Sequence, residues 1–476
     1  MRDGLRGLRT VMASRIRWVG LAVAFIGAAV LVVSLGVVGD ASASGGVKVA
    51  DPGVRGGSPS AGGPIAGLSN SEMQYFTAGA ESFGEIDSVD GSVPGEPGHG
   101  LGPRFNLNSC AGCHAFPANG GTSPVHNPQL DVAHDAAACS PRACNSEDLP
   151  FLSANGPVRE VRFVRNPDGS ADGGVHDLFT ISGRSDAPGC RIDQPDFGLA
   201  MRQNNLAFRI PTPLFGAGLI ETIPDSAILA NKNANLRDKR DLGITGHENR
   251  EGNTGTITRF GWKAQNKSLL IFSGEAYNVE MGVTNELFPQ EREENARCLY
   301  NGTAEDHTNF DASDATSGLS DVEQFAIFSR FLAPPAPVQT GLTTQQTGAI
   351  RDGKAVFERT GCALCHTQSL QTGGSSSQAL DNKTANLFSD LLVHHMGSGL
   401  ADGIVQGTAQ GDEFRTAPLW GLGQRIFFLH DGRTADLLQT IKSHASPGSE
   451  ANAVVARFYG LSDAQKQNLL IFLRSL

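Results

Sequence analysis

Cys110-Ala-Gly-Cys-His114 and Cys362-Ala-Leu-Cys-His366 repeat one pattern, two cysteines separated by two residues with a histidine directly after. The spacing has a chemical reason. Two thiols so placed, on a turn opening into a helix, reach the two vinyl groups of one haem, and the adjacent imidazole lies under the iron. A zinc half-site would need two further thiols or imidazoles at matched spacing, and a redox CxxC pair would need a βαβ context that the flanking sequence does not offer. The chain is therefore expected to carry two covalently bound haem c groups. Cys110, Cys113, Cys362 and Cys365 would attach them, and His114 and His366 would be the iron ligands.

Outward from these motifs, other pieces recur in the same order. Arg209-Ile-Pro-Thr-Pro-Leu-Phe-Gly216 is echoed by Arg415-Thr-Ala-Pro-Leu-Trp-Gly421, and the stretch from Phe260 by the one from Leu429. Residues 320–332 and 462–476 both open on Ser-Asp, a natural N-cap, and continue with apolar residues at helical spacing. Ala333-Pro-Pro-Ala-Pro337 is a stiff seam that no helix crosses. The expected fold is mainly α, with two tandem cytochrome-c-like domains at 71–333 and 338–476. The first copy is the longer. Its extra segment, about 139–200, holds alternating runs at 158–164 and 178–181 that predict a small β insertion.

The 476-residue chain is long enough for two or three domains. Many glycines and prolines with few aromatics suggest short helices and long loops, as suits a fold around a large apolar group. A net charge of -11 and the lack of a basic stripe argue against nucleic acid. Acidity would suit a basic soluble redox partner, although it also simply confers solubility. Arg2, Arg6, Arg9, Arg15 and Arg17 precede an apolar run at 18–38, and Ala41-Ser-Ala43 offers a cleavage site. Residues 1–43 thus read as a signal peptide or a retained membrane anchor, and the body as periplasmic or otherwise extracytoplasmic. Residues 44–70, rich in Gly, Ser and Pro, read as a flexible linker. Cys139, Cys144, Cys190 and Cys298 remain; in an oxidising compartment they are expected to form two disulfides, in a pairing the sequence leaves open.

From about Phe76 to Leu476 the chain resembles the bacterial di-haem cytochrome c peroxidases and their relatives, most closely the di-haem oxidoreductases of the thiol oxidoreductase branch. The likeness is carried by Phe105-Asn-Leu-Asn-Ser-Cys-Ala-Gly-Cys-His114, the Arg-Pro-Leu segments, Asn278-Val-Glu-Met-Gly282, His394-His-Met-Gly-Ser-Gly-Leu-Ala-Asp402 and His430-Asp-Gly-Arg433. The resemblance implies a peroxidatic haem in the first domain and an electron-transfer haem in the second. It places Trp262 between the two and Glu280 over the first, as the acid–base group that moves a proton between the oxygens of a peroxide.

One departure stands out. Where these peroxidases carry a methionine ligand just before His-Asp-Gly, this chain has Leu429, which cannot bind iron. Met396, in a Gly-flanked loop, is the substitute candidate, with His394, His395 and His430 as rivals. His126 and His134 are candidates for a displaceable ligand at the first haem. The expected activity is peroxidase-like: electrons from a small soluble redox protein pass through the second haem to hydrogen peroxide or another small oxidant at the first. The alternatives are a pure electron carrier and an oxidase of a protein or metal partner.

Overall fold

The computed structural model describes residues 48–56, 61–134, 149–292, 295–299 and 304–476. In chain order the first half runs α1 (Asn70–Phe83), β1 (Arg104–Phe105), α2 (Cys110–Cys113), α3 (Pro128–His134), β2 (Glu160–Phe163), β3 (Phe179–Thr180), α4 (Phe197–Arg202) and β4 (Leu206–Arg209). It continues through α5 (Ala217–Thr222), α6 (Asp225–Lys232), α7 (Leu236–Leu242), α8 (Leu269–Met281) and α9 (Asp321–Phe331). The second half runs α10 (Thr344–Thr360), β5 (Leu370–Gln371), β6 (Thr384–Ala385), β7 (Val393–His395), β8 (Glu413–Arg415), α11 (Leu437–Ser443), α12 (Asn452–Tyr459) and α13 (Asp463–Ser475).

Two crossed helix pairs frame the molecule, α1 against α9 and α10 against α13. All four helices begin with a reciprocal capping box: Ser69 with Glu72, Ser320 with Glu323, Thr343 with Gln346, and Ser462 with Gln465. Each box satisfies two amide donors that a helix start leaves without partners. Glycine lets each pair approach closely. A Cβ on Gly79 would lie 2.4 Å from the Gln324 carbonyl oxygen, and one on Gly353 would lie 2.0 Å from that of Asn468. The first helix of each pair also presents a phenylalanine to the histidine of the following CxxCH, Phe83 to His114 at 6.0 Å and Phe357 to His366 at 6.4 Å between ring centroids. The duplication read from the motifs thus extends to caps, crossing points and ring contacts.

The strands differ from expectation in two respects. Both predicted runs do form strands, but they pair outside the insertion, β2 with β4 and β3 with β1, both antiparallel. Short ladders also occur in the second half, β5 with β6 and β7 with β8, so β structure is not confined to the first. These second-half ladders, of two and three residues, had no alternating run long enough to announce them. The pairs β2–β4 and β7–β8 are equivalent, since each ends its register on the arginine of a repeated motif, Glu160 facing Arg209 and Val393 facing Arg415.

A core built from Phe76, Phe83, Phe105, Phe179 and Phe328 extends into residues 370–392, and a second surrounds Phe357, Phe428, Phe458 and Phe472. The described residues pack as one compact unit, with the duplication inside it. The linker expectation for 44–70 needs correction where that segment is described. Asp51 receives hydrogen bonds from Arg474 Nη2 at 2.6 Å and Arg474 Nε at 2.8 Å, and Arg55 N donates to Gly423 O at 2.7 Å. Ile65 N donates to Phe331 O at 2.7 Å. Gly and Ser supply flexibility only when nothing holds the backbone, and here charged and backbone groups strap it to the ends of α9 and α13. Cys190 and Cys298 form a disulfide, while Cys139 and Cys144 lie outside the described residues. Among the described residues no helix is long and apolar enough to cross a membrane; the 1–43 segment lies outside them.

Candidate functional site

Each CxxCH closes a tight turn over an internal cavity. His114 N donates to Cys110 O at 3.0 Å, and His366 N to Cys362 O at 2.9 Å. The imidazoles are held alike, His114 Nδ1 by Gly121 O at 3.0 Å and His366 Nδ1 by Phe388 O at 3.1 Å. A carbonyl at Nδ1 fixes the proton there and leaves the Nε2 lone pair free, the usual arrangement of a metal-binding histidine. Both rings and all four thiols line the cavities. The thiols form no disulfide, and burial pushes Cys362 up to about 12, far from the thiolate that a redox CxxC pair requires. Burial also pushes His114 and His366 down to about 4, so both imidazoles are neutral and able to ligate.

The residues present fit a haem in each cavity. Paired thiols and an anchored imidazole would hold it, and leucines and phenylalanines supply the walls. In the second cavity Arg415 and Arg425 are both buried, burial pushes each guanidinium down to about 10, and among the described residues no carboxylate is paired with either. Arg415 Nη1 has no hydrogen-bond partner among the described residues. Two uncompensated buried cations call for an anionic group in the cavity, as the propionates of a haem would be.

The first cavity carries acid–base groups. Glu280 sits on the last turn of α8, which ends at Gly282 in the left-handed region (φ 71°). The backbone of 102–106 is laced to that turn, Gly102 N to Met281 O at 2.9 Å and Asn106 N to Glu280 O at 2.7 Å. The loop that leads into the first CxxCH thereby fixes the backbone that carries the carboxyl. Asn106 Nδ2 donates to Glu280 Oε2 at 3.0 Å and to Asp177 Oδ1 at 2.8 Å. Glu160, from β2, shares a hydrogen bond with Glu280 and is ion-paired to Arg162. Burial holds Glu280 well above the usual carboxylate range, and the charges of Glu160 and Asp177 add to the effect. A carboxyl so raised is held toward its protonated form, which suits a group that hands on a proton. Glu160 and Arg162 were missed in the sequence, although their i,i+2 spacing on a strand marks one face.

Trp262 lines both cavities. Its Nε1 donates to Ile210 O at 2.9 Å, and its ring meets His430 edge-on at 6.3 Å. The two residues occupy equivalent loops, closed by the bridges Phe260–Asn266 and Phe428–Thr434. Each loop has a left-handed residue just before the ring, Gly261 (φ 82°) and Leu429 (φ 67°). Asp402 joins the halves here, bonded to Arg209 Nη2 at 2.7 Å and Lys263 Nζ at 3.1 Å.

A family model described as "Di-haem oxidoreductase, putative peroxidase" matches residues 164–476. The chain belongs to this di-haem oxidoreductase family. The match includes Trp262, Glu280 and the second CxxCH, and the first CxxCH precedes it. Among solved structures, one of Kuenenia stuttgartiensis hydrazine synthase pressurised with xenon is 19% identical, covering 33% of this chain and 55% of that one, about half its length. The TM-score of 0.23 is too low to speak to the fold. A comparison with the curated proteins gives no match.

In this di-haem oxidoreductase the remaining ligand candidates separate by geometry. Met396 is half-buried and lines the second cavity, as do His394 and His430. Both ring nitrogens of His394 are taken, Nδ1 by Glu450 at 2.8 Å and Nε2 by Asp390 at 3.0 Å, which corrects its standing as a rival. His395 is bonded to Asp412 and Glu413 and does not line the cavity. In the first cavity the only lining imidazole among the described residues is that of His114. His126 is exposed and bonded to Asp131 at 2.9 Å, outside the cavity, so it is no ligand here. His134 ends α3, and its side chain lies outside the described residues. His444, which also lines the second cavity, was not among the sequence candidates.

Proposed function

We propose that this chain is an exported di-haem c-type cytochrome that acts as a peroxidase. Two cytochrome-c-like domains meeting near residues 333–338 would each hold one covalent haem. Electrons from a small soluble redox protein would enter at the second haem and reach hydrogen peroxide at the first. The balanced reaction consumes one peroxide, two protons and two electrons and yields two waters.

The observation that carries this reading is the asymmetry of the cavities. Among the described residues the first is lined by a single imidazole and by Glu280 beside Glu160; the second is crowded with further donors, Met396, His430 and His444. An open position beside an acid–base group suits chemistry, and a saturated one suits electron storage. A haem in each cavity would supply single electrons at an iron, in the first cavity one within reach of a small oxidant. The chain's own residues do the rest. The carboxyl pair takes the proton from one peroxide oxygen and returns it to the other through a Glu280 oxygen, which Asn106 orients. Arg162 supports Glu160 as the pair's charge changes. Trp262, as the shared wall, offers an aromatic path between the cavities.

Stopped-flow mixing of the half-reduced protein with peroxide tests the reading. Wild type is expected to react, and Glu280→Gln to lose ~10²–10⁴ in rate with haem content and potentials kept. No reaction in wild type would replace the enzyme by a carrier. Equal rates would keep the enzyme and remove Glu280 from its role.

A further inference from the structure

We infer that His444, through Nε2, is the second iron ligand of the haem attached at Cys362 and Cys365, in place of Met396. The inference rests on the reading that this cavity holds a haem.

A second ligand must come from an element other than the turn of His366, must keep a lone pair free toward the cavity, and must be held rigidly. His444 satisfies each condition. It follows α11 directly, and its Nδ1 donates to Thr440 O at 2.8 Å. That bond spans one helical turn and fixes the proton on Nδ1, and among the described residues nothing is bonded to Nε2. Gly121 O and Phe388 O anchor His114 and His366 in the same manner. The backbone behind the ring is also fixed, since Ser449 Oγ donates to His444 O at 2.6 Å.

The rivals satisfy fewer conditions. His394 has spent both nitrogens on carboxylates. His430 lies face to face with Phe414, centroids 4.1 Å apart, and edge-on to Trp262, and among the described residues no backbone carbonyl anchors its ring. Met396 packs its side chain against the apolar cluster of Ile210, Trp262, Leu400, Phe414 and Phe427. It is tied to the His444 loop only through its backbone, where Ser446 Oγ donates to Met396 O at 3.0 Å. A thioether in apolar packing has a structural role of its own. Bis-imidazole ligation also lacks the rise in potential that a methionine ligand brings, so the second haem would store its electron at a lower potential than the methionine-ligated haem of the peroxidases.

The test uses the full chain in its ferric form. Near-infrared magnetic circular dichroism and spin resonance of wild type should show one low-spin haem of bis-imidazole type and no thioether-to-iron charge-transfer band. His444→Ala should convert half of the total haem to high spin, with low spin restored by added imidazole, while Met396→Leu leaves the spectra unchanged. Even if the alanine variant fails to fold, the wild-type spectrum separates imidazole from thioether ligation, and His430→Ala, which should keep the low-spin signal, separates the two imidazoles. A thioether band in wild type that Met396→Leu abolishes would overturn the assignment, as would an unchanged low-spin signal in His444→Ala. A pyridine haemochrome count of one haem per chain would instead overturn the reading of the cavity as a haem site.

Discussion

The crossing of α10 and α13 offers a test in which one helix serves as its own control. α10 contains two interior glycines, Gly348 and Gly353. A Cβ on Gly348 meets nothing within 4 Å, so Gly348→Ala should gain the ordinary helix advantage of about 0.8–1.0 kcal/mol. Gly353→Ala gains the same advantage but drives its Cβ to 2.0 Å from Asn468 O and 2.7 Å from Phe472 Cβ. Ordinary contact begins at 3.4 Å, and the obstacle is backbone, so the helices must part by about 1.4 Å. Overpacking of this kind costs about 1–3 kcal/mol. Because the propensity gain cancels between the variants, that is also the expected difference in their stabilities. Parting the helices also shifts Phe357 relative to His366, so the Soret band should move in Gly353→Ala alone. Denaturant midpoints from circular dichroism, read alongside the Soret band, check both outcomes. Equal midpoints for the two alanine variants would refute the close crossing.

Three further outcomes are expected. Denatured protein should keep its haem colour through acid–organic extraction and give two c-type haems per chain by pyridine haemochrome; freely extractable haem would defeat the attachment at both CxxCH turns. Asp51→Asn should cost about 3–5 kcal/mol in denaturant melts, because it leaves the buried Arg474 guanidinium without its anion. Burial raises the Asp51 carboxyl, but the hydrogen bond from Arg474 and two backbone amides outweighs it, for a net fall below 3.8. The pair therefore stabilises above that pH and loses its contribution as pH falls through the lowered value, so wild type should shed more stability on acidification than Asp51→Asn. Cys190→Ser opens a link between residues 108 apart and should cost about 4–5 kcal/mol by loop-closure entropy, seen as a lower unfolding midpoint in oxidising buffer.

Much of the site was legible in the sequence because its chemistry is local. The cysteines and histidine of a CxxCH lie within one turn, and Ser-Asp before an apolar period announces a capped helix wherever it occurs. The repeated arginine motifs gave the duplication, and structure added that they pair with equivalent strands. Residues 48–56 and 61–69 misled, because flexible composition says nothing about a distant arginine, Arg474, waiting to hold the chain.

What the sequence by itself determined is the pair of CxxCH turns and the helical duplication around them; Glu280 and Trp262 came from the resemblance to the di-haem peroxidases. Only the tertiary structure decided which side chains share a cavity. It set Glu160 and Arg162 beside Glu280 from a strand far away in the chain, made Trp262 a wall of both cavities, spent the nitrogens of His394 on Asp390 and Glu450, and turned His444 inward. The physical reason is that ligation and proton sharing depend on distances of about 3 Å between atoms and on which lone pairs remain free. Those are fixed by long-range packing, to which spacing along the chain is blind.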